Sequence, residues 1–298
     1  MNRFVPSSSD IPSLYRAAHA ASSDGQKRFL RSTRSRLILL AAAATCAVTS
    51  WRIGSIEVLA ILSAASFGGA LVIDTYLAIT RPEKSWYEGR AVAESVKSLM
   101  WRFMVGGQTF GIGSASDGHS KEKLFIRRCQ EIVQGFPDLH LPPGEGNSDE
   151  ITEHMLYVRS LSFKERRERY IKGRLEEQIE WYGQRSRFNK RNALIWMMVL
   201  LGLEFTGLVA AILRASGVLA VDVLGILSAV AAGCIAWTQA KRYHSLSAAY
   251  AVAYHELAMI RTSASVAVNE GAWESYVDAV EDAILRENNL WGASRPAS

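Results

Sequence analysis

Glu57-Val58-Leu59-Ala60-Ile61-Leu62-Ser63-Ala64 returns 165 residues later as Asp222-Val223-Leu224-Gly225-Ile226-Leu227-Ser228-Ala229, and the match runs on to Gly68 and Gly233. Each copy lies inside an apolar tract, at 37–80 and 192–240. Together these 93 residues hold six of the 63 charged side chains. A bilayer core takes about 20 apolar helical residues, so each tract is long enough for two passes. The tracts break at Trp51-Arg52-Ile53-Gly54-Ser55 and at Arg214-Ala215-Ser216-Gly217. These breaks predict an all-α membrane protein of two transmembrane helical hairpins, with four spans at about 34–53, 56–79, 193–213 and 218–238. The first span is the shortest, apolar only from 37 to 50, and it needs Arg34 or Arg36 to reach back to the interface. Duplicated units of this kind are a recognised membrane architecture, and the period is far too long for a solenoid.

The matched positions carry a physical pattern. Ala60, Ala64 and Gly68 recur every fourth residue, as do Gly225, Ala229 and Gly233. Small residues so spaced let helix backbones approach closely in lipid, either within a hairpin or between subunits of a homo-oligomer.

Composition over all 298 residues hides this division: 49% hydrophobic, 21% charged, mean hydropathy +0.03 and net charge +5. The charge is an orientation signal. Residues 26–36 carry Lys27, Arg28, Arg31, Arg34 and Arg36, and 183–191 carry Arg185, Arg187, Lys190 and Arg191, with no acid in either stretch. Arg81 and Lys84 follow the first hairpin, and Lys241 and Arg242 follow the second. Under the positive-inside rule both hairpins enter the membrane from the cytoplasm and return to it, a multi-pass arrangement with N- and C-termini cytoplasmic. The bilayer itself is the expected partner, and no nucleic acid is needed to explain the basic excess. Because the start is polar, no cleavable signal peptide is visible.

The remainder reads as long helices extending from the spans into a helical cytoplasmic region. Ser162-Phe163-Lys164-Glu165 is a capping box, and no proline follows until past residue 213, so one helix is expected to run into the third span. Its face carries Tyr170, Arg174, Gln178, Trp181 and Arg185 at steps of three and four. The second span is expected to continue through Trp86, Arg90, Glu94, Lys97 and Trp101, and the fourth through Tyr243, Tyr250 and Tyr254. A final helix covers 270 to about 288. Glycine- and proline-rich stretches at 106–120 and 135–148 flank a short helix at 121–134. No strand-like alternation is present.

Catalytic chemistry finds no foothold, and the chain reads as a non-enzyme without cofactor or metal. Gly111-Ile112-Gly113 opens no phosphate-binding helix and has no Walker lysine. Cys46, Cys129 and Cys234 are too dispersed for a disulfide framework, and six histidines lack metal-ligand spacing. Intramembrane acids carry more weight. Glu57 and Asp222 fall at the outer start of the second helix of each hairpin, where the helix dipole favours them, and Asp74 falls near the inner interface. Glu204 sits mid-span, and two readings stand. It contributes to a carboxylate ring lining a cation pathway in an oligomer, or it is protonated or hydrogen-bonded glue between hairpins. Arg90, Glu94 and Lys97 read as a ligand-responsive network or as a surface ladder. Trp86, Trp101, Trp181 and Trp237 fit an interfacial aromatic belt.

The string Trp86-Tyr87-Glu88-Gly89-Arg90-Ala91-Val92-Ala93-Glu94-Ser95-Val96-Lys97-Ser98 resembles the SLATT group. These are two-transmembrane-helix effector domains associated with SMODS nucleotide synthetases and SLOG sensors in bacterial conflict systems. Asp10-Ile11-Pro12-Ser13-Leu14-Tyr15 and Ser22 are similar to one subtype. Tyr170, Arg174, Gln178, Trp181-Tyr182, Asn189, Trp273, Glu281, Glu287 and Trp291 resemble another. The units are then 10–105 and 161–292, joined by a connector at 106–160. After its hairpin the second unit has Leu246, Tyr250 and Tyr254 in place of a Trp-x-x-x-Arg-x-x-x-Glu string. The resemblance implies a membrane effector of anti-phage defence that forms a pore or perturbs the membrane when a nucleotide signal, sensor or synthetase partner triggers it. The alternative is a non-conducting scaffold or sensor that recruits a soluble enzyme.

Overall fold

The computed structural model describes residues 10–48, 51–53, 56–112, 118–143, 149–218, 223–267 and 269–293. Asp222 lies outside them, as do the side chains of Glu287 and Trp291. The described residues are almost wholly helical: α1 Ser13–Val48, α2 Val58–Thr80, α3 Pro82–Val105, α4 Gly118–Gln134, α5 Glu153–Ser160, α6 Phe163–Tyr170, a π turn Ile171–Glu176, α7 Glu177–Ala215, α8 Val223–Lys241, α9 Tyr243–Thr262, a 3-10 turn Ser263–Val266 and α10 Glu270–Ala293. Between α1 and α2 the chain pairs in antiparallel fashion over two residues a side, Arg52 opposite Glu57 and Ile53 opposite Ile56. No sequence alternation announces so short a ladder.

Three helical stretches are long and apolar enough to cross a membrane: Val58–Val105, Phe163–Ala215 and Val223–Ser265. Only about 20 residues of each are needed for a crossing, and the apolar segments lie at 58–80, 192–215 and 223–240. The apolar end of α1, 37–48, is about 18 Å long at helical rise and falls short of that measure.

Two compact units divide the chain. One comprises Gln26–Pro82 and Arg187–Ser247 and holds the apolar helices. In it, Arg36 Nε lies 3.0 Å from Asp74, a Cβ on Gly69 would sit 3.1 Å from Leu39, and the Ser63 hydroxyl donates to the Ala43 carbonyl at 3.1 Å. The pairs 36/74, 39/69 and 43/63 define an antiparallel register. α1 therefore accompanies α2 along most of its length. The second hairpin closes similarly: a Cβ on Gly207 would lie 3.5 Å from Leu224, and the Tyr243 hydroxyl accepts hydrogen bonds from Trp196 and Trp237.

The other unit comprises residues through Gly25, Glu83–Ser186 and the chain from Ala248. Part of its core is Ala18, Val92, Ala93 and Val96, with Leu14, Ile132 and Phe136 packed against them. α1 and α3 touch at Gly89, where a Cβ would lie 2.8 Å from the Ser22 nitrogen and 2.9 Å from the Ala18 carbonyl. Only glycine permits that approach.

The expected continuations of the second and fourth spans are interrupted. α2 ends at Arg81, with φ +40°, because Pro82 disfavours the α region for the residue before it and has no N–H to donate. α8 ends at Arg242, with φ +53°, although no proline follows. Each arginine N–H closes the helix by donating four residues back, Arg81 to Leu77 at 3.0 Å and Arg242 to Thr238 at 2.8 Å. The duplication therefore extends to the way each hairpin ends.

Candidate functional site

α10 buries one face, with Trp273, Val277, Val280, Glu281 and Ile284 at 0% exposure. A carboxylate inside that face needs partners, and the π turn brings them. Arg174 donates from Nε to Glu281 Oε1 at 3.0 Å and from Nη2 to Oε2 at 2.7 Å, while the Tyr170 hydroxyl donates to Oε1 at 2.9 Å. This is a bidentate pair with a third donor, the strong form of such contacts. Burial alone would lower the Arg174 pKa, but the charge and hydrogen bonds of Glu281, with Glu94 adding, raise it. Burial and then the Glu281 charge raise that of Tyr170.

Aromatic rings enclose the pair. Trp101 and Trp273 meet Tyr170 edge-on, with centroids 5.7 and 5.5 Å away. Trp101 lies 3.5 Å from where a Gly173 Cβ would stand, so glycine in the π turn admits the indole. Trp273 Nε1 donates to the Val105 carbonyl at 2.9 Å, and Arg166 Nη1 to the same oxygen at 2.8 Å. Arg159 donates to the Phe103 and Phe110 carbonyls at 2.5 and 2.8 Å. Arg159 and Arg166 thus satisfy the Phe103 and Val105 carbonyls that the C-terminus of α3 leaves open, and Arg159 also the Phe110 carbonyl beyond it.

Facing this pair are the charged residues of α3. Glu94, half-buried, has a buried Oε2 without a hydrogen-bond partner among the described residues, as does Arg174 at Nη1. Lys97 is partly buried; burial and then the Arg174 charge lower its pKa, against the pull of Glu94, Glu177 and Glu281. Arg90 lies 6.0 Å from the Trp181 ring and Arg185 5.6 Å, while Trp181 packs on Tyr250 at 5.3 Å.

The motif residues of both halves therefore meet in one compact unit: Arg90, Glu94 and Lys97 with Tyr170, Arg174 and Trp181. Gln178 lies beside them, half-buried. Trp86 and Trp101, read from sequence as interfacial belt, are instead packing residues at 9% and 7% exposure. The Trp86 carbonyl accepts from Ser22 Oγ at 2.9 Å. Arg166, 2% exposed and bonded to Glu270, was not singled out by the sequence. Its signal was there, since Arg166 extends the 170/174/178 ladder back by one turn.

In the apolar unit, Glu204 lies on the exposed face of α7 and makes no hydrogen bond or ion pair among the described residues. Ala60, Ala64 and Gly68 lie on the exposed face of α2, and Gly225 is exposed on α8, with Ala229 and Gly233 partly exposed. A Cβ on Gly68 or Gly233 would meet nothing within 4 Å. Glu57 is the N-cap residue of α2 and makes no side-chain cap hydrogen bond. The Cys129 thiol is buried, which pushes its pKa up to about 12. Among the described residues, no three His, Cys, Asp or Glu side chains are placed to hold a metal ion.

Residues 12–167 match SMODS and SLOG-associating 2TM effector domain 3, and residues 170–291 match SMODS and SLOG-associating 2TM effector domain 1. The chain belongs to the SLATT family. It is two different SLATT units in tandem, each an effector domain of the two-transmembrane-helix type. The second SLATT match opens at Tyr170, the residue that with Arg174 holds Glu281. The first runs through 106–160 and ends inside α6. The chain matches no curated protein and no solved structure.

Proposed function

We propose that this SLATT protein is a membrane effector of a bacterial anti-phage or other conflict system. It crosses the inner membrane four times with both termini cytoplasmic, assembles with copies of itself, and opens an ion pathway without catalysing a reaction. Two SLATT units of two helices each support the four crossings, and the basic flanks support the orientation. A nucleotide signal or a partner sensor or synthetase acts on the ionic cluster around Arg174 and Glu281, on the same chain that continues into the third span.

One observation carries the conducting reading: Glu204 is exposed in the middle of an apolar helix. A carboxylate facing lipid at that depth is costly, and such groups face a bundle interior or a wet cavity. The exposed small residues of α2 and α8 offer close-packing surfaces for further copies. Ion flux through the purified chain in liposomes is the test. Triggered conductance whose cation selectivity falls in Glu204→Gln supports the pathway. Conductance with unchanged selectivity removes Glu204 from it, and no conductance under any trigger leaves a non-conducting scaffold that recruits a soluble enzyme.

A further inference from the structure

Six cations of the apolar unit remain exposed and unpaired among the described residues: Lys27, Arg31 and Arg34 on α1, and Arg187, Lys190 and Arg191 on α7. Their spacing is not that of scattered surface charge. Positions 27, 31 and 34 follow steps of four and three, which align them on one face of α1, and 187, 190 and 191 share one face of α7 in the same way. On both helices the apolar sequence begins within about one turn of the last cation. On α1 the acid Asp24 lies one turn before Lys27, and none lies from there to the apolar sequence. Asp74, whose depth the 36/74 contact fixes, is already held by Arg36 at 3.0 Å. Glu57 stands at the opposite end of α2, and Glu204 lies more than three turns along α7. Trp196, Trp237 and Tyr243, joined by hydrogen bonds, mark where the second hairpin leaves the apolar layer, and Lys241 sits 5.2 Å from the Trp237 ring.

We propose that these two basic faces form a docking surface for the headgroups of anionic phospholipids. The proposal rests on the reading of the chain as membrane-spanning. Lipid phosphates lie at the depth where the helices turn from basic to apolar, and Lys and Arg stems reach along apolar surface while their charges meet the phosphates. Such a surface distinguishes lipids by net charge and weakens with salt.

The experiment uses the full chain in phosphatidylcholine vesicles containing a minor fraction of brominated phosphatidylglycerol, with tryptophan quenching reporting the affinity of one lipid relative to the other. A preference for phosphatidylglycerol of about three-fold or more is expected at low salt, declining toward unity in high salt. The triple variant Arg187→Gln/Lys190→Gln/Arg191→Gln lowers it, and Lys27→Gln/Arg31→Gln/Arg34→Gln does the same from the other face. Arg187→Lys/Arg191→Lys, which keeps the charge, retains it. Equal affinity for the two lipids in the unaltered chain, or undiminished preference in both triple variants, overturns the proposal. Alkaline carbonate extraction separates the two readings. A chain that resists extraction but shows no preference sinks the docking surface alone, whereas a chain released by carbonate sinks the membrane-spanning reading beneath it.

Discussion

Glu281 has no exposed surface and three donor contacts, and Arg174 beside it is 1% exposed. Removing one partner of such a pair leaves a buried charge uncompensated, at a cost of about 3–5 kcal/mol. Glu281→Leu is therefore expected to lower the thermal midpoint in detergent sharply, whereas Arg174→Met/Glu281→Leu together recover most of the loss. A double-variant loss equal to the sum of the losses of Glu281→Leu and Arg174→Met alone would show that the charges are not coupled. Lys97 gives a pH-dependent prediction. Its folded-state pKa lies below the ordinary 10.5 because burial and Arg174 disfavour the ammonium, with Glu94, Glu177 and Glu281 opposing. The penalty is fully present below the folded pKa and disappears as pH rises through it toward 10.5. Lys97→Met should accordingly stabilise the protein at pH 7, with a gain that shrinks on titration to pH 10; a gain independent of pH refutes the charge as its cause. Sequence exposed these residues unevenly. Tyr170 and Arg174 stood out by spacing, but Trp101 was read as interface because an indole near a span end serves core and belt alike.

Among the elements, local chemistry was legible and tertiary chemistry was not. The capping box at Ser162 and Glu165 is present as read, with both reciprocal hydrogen bonds, because every atom it needs lies within four residues. Pro82 could have announced the break at Arg81. Arg242 carries no comparable signal, and neither does the π turn, whose residues are held by Glu281 and Trp101 from distant parts of the chain. Such turns occur frequently at functional sites. Gly89, one letter of the tryptophan-led string, is a close contact between α1 and α3. Gly89→Ala gains about 1 kcal/mol of helix propensity, yet its Cβ meets backbone atoms of Ser22 and Ala18 below 3.0 Å. Overpacking of that kind costs about 1–3 kcal/mol, so a net loss in thermal midpoint is expected. Gly68→Ala, with open space around it, keeps the propensity gain without the clash and should not lower the midpoint. A stabilised Gly89→Ala variant would mean that α1 and α3 separate freely.

At the scale of the whole molecule, the order of the chain and its division in space differ. The sequence separates two SLATT units end to end, whereas the ionic cluster combines α3 of the first with the π turn and α10 of the second. Periodicity reports which face of a helix is apolar but not which distant helix covers it, so that interleaving was hidden. The three long apolar helices, by contrast, were plain from hydropathy alone. What hydropathy leaves undecided is α1, whose apolar end spans about 18 Å against a core of about 30 Å. The 36/74, 39/69 and 43/63 contacts favour a crossing, since α1 keeps pace with α2 from the Arg36–Asp74 pair onward. If α2 spans, Trp51 then lies across the bilayer from Lys27. In a background with Cys46, Cys129 and Cys234 replaced by serine, a membrane-impermeant maleimide should label Trp51→Cys from outside the cell and Lys27→Cys only after lysis. Both positions lie on exposed residues, so accessibility reports sidedness. Labelling of both from the same side would leave α1 on one face of the membrane and reduce the crossings to three. An odd number would also put the two termini on opposite sides, contrary to the orientation that the basic flanks of both hairpins support.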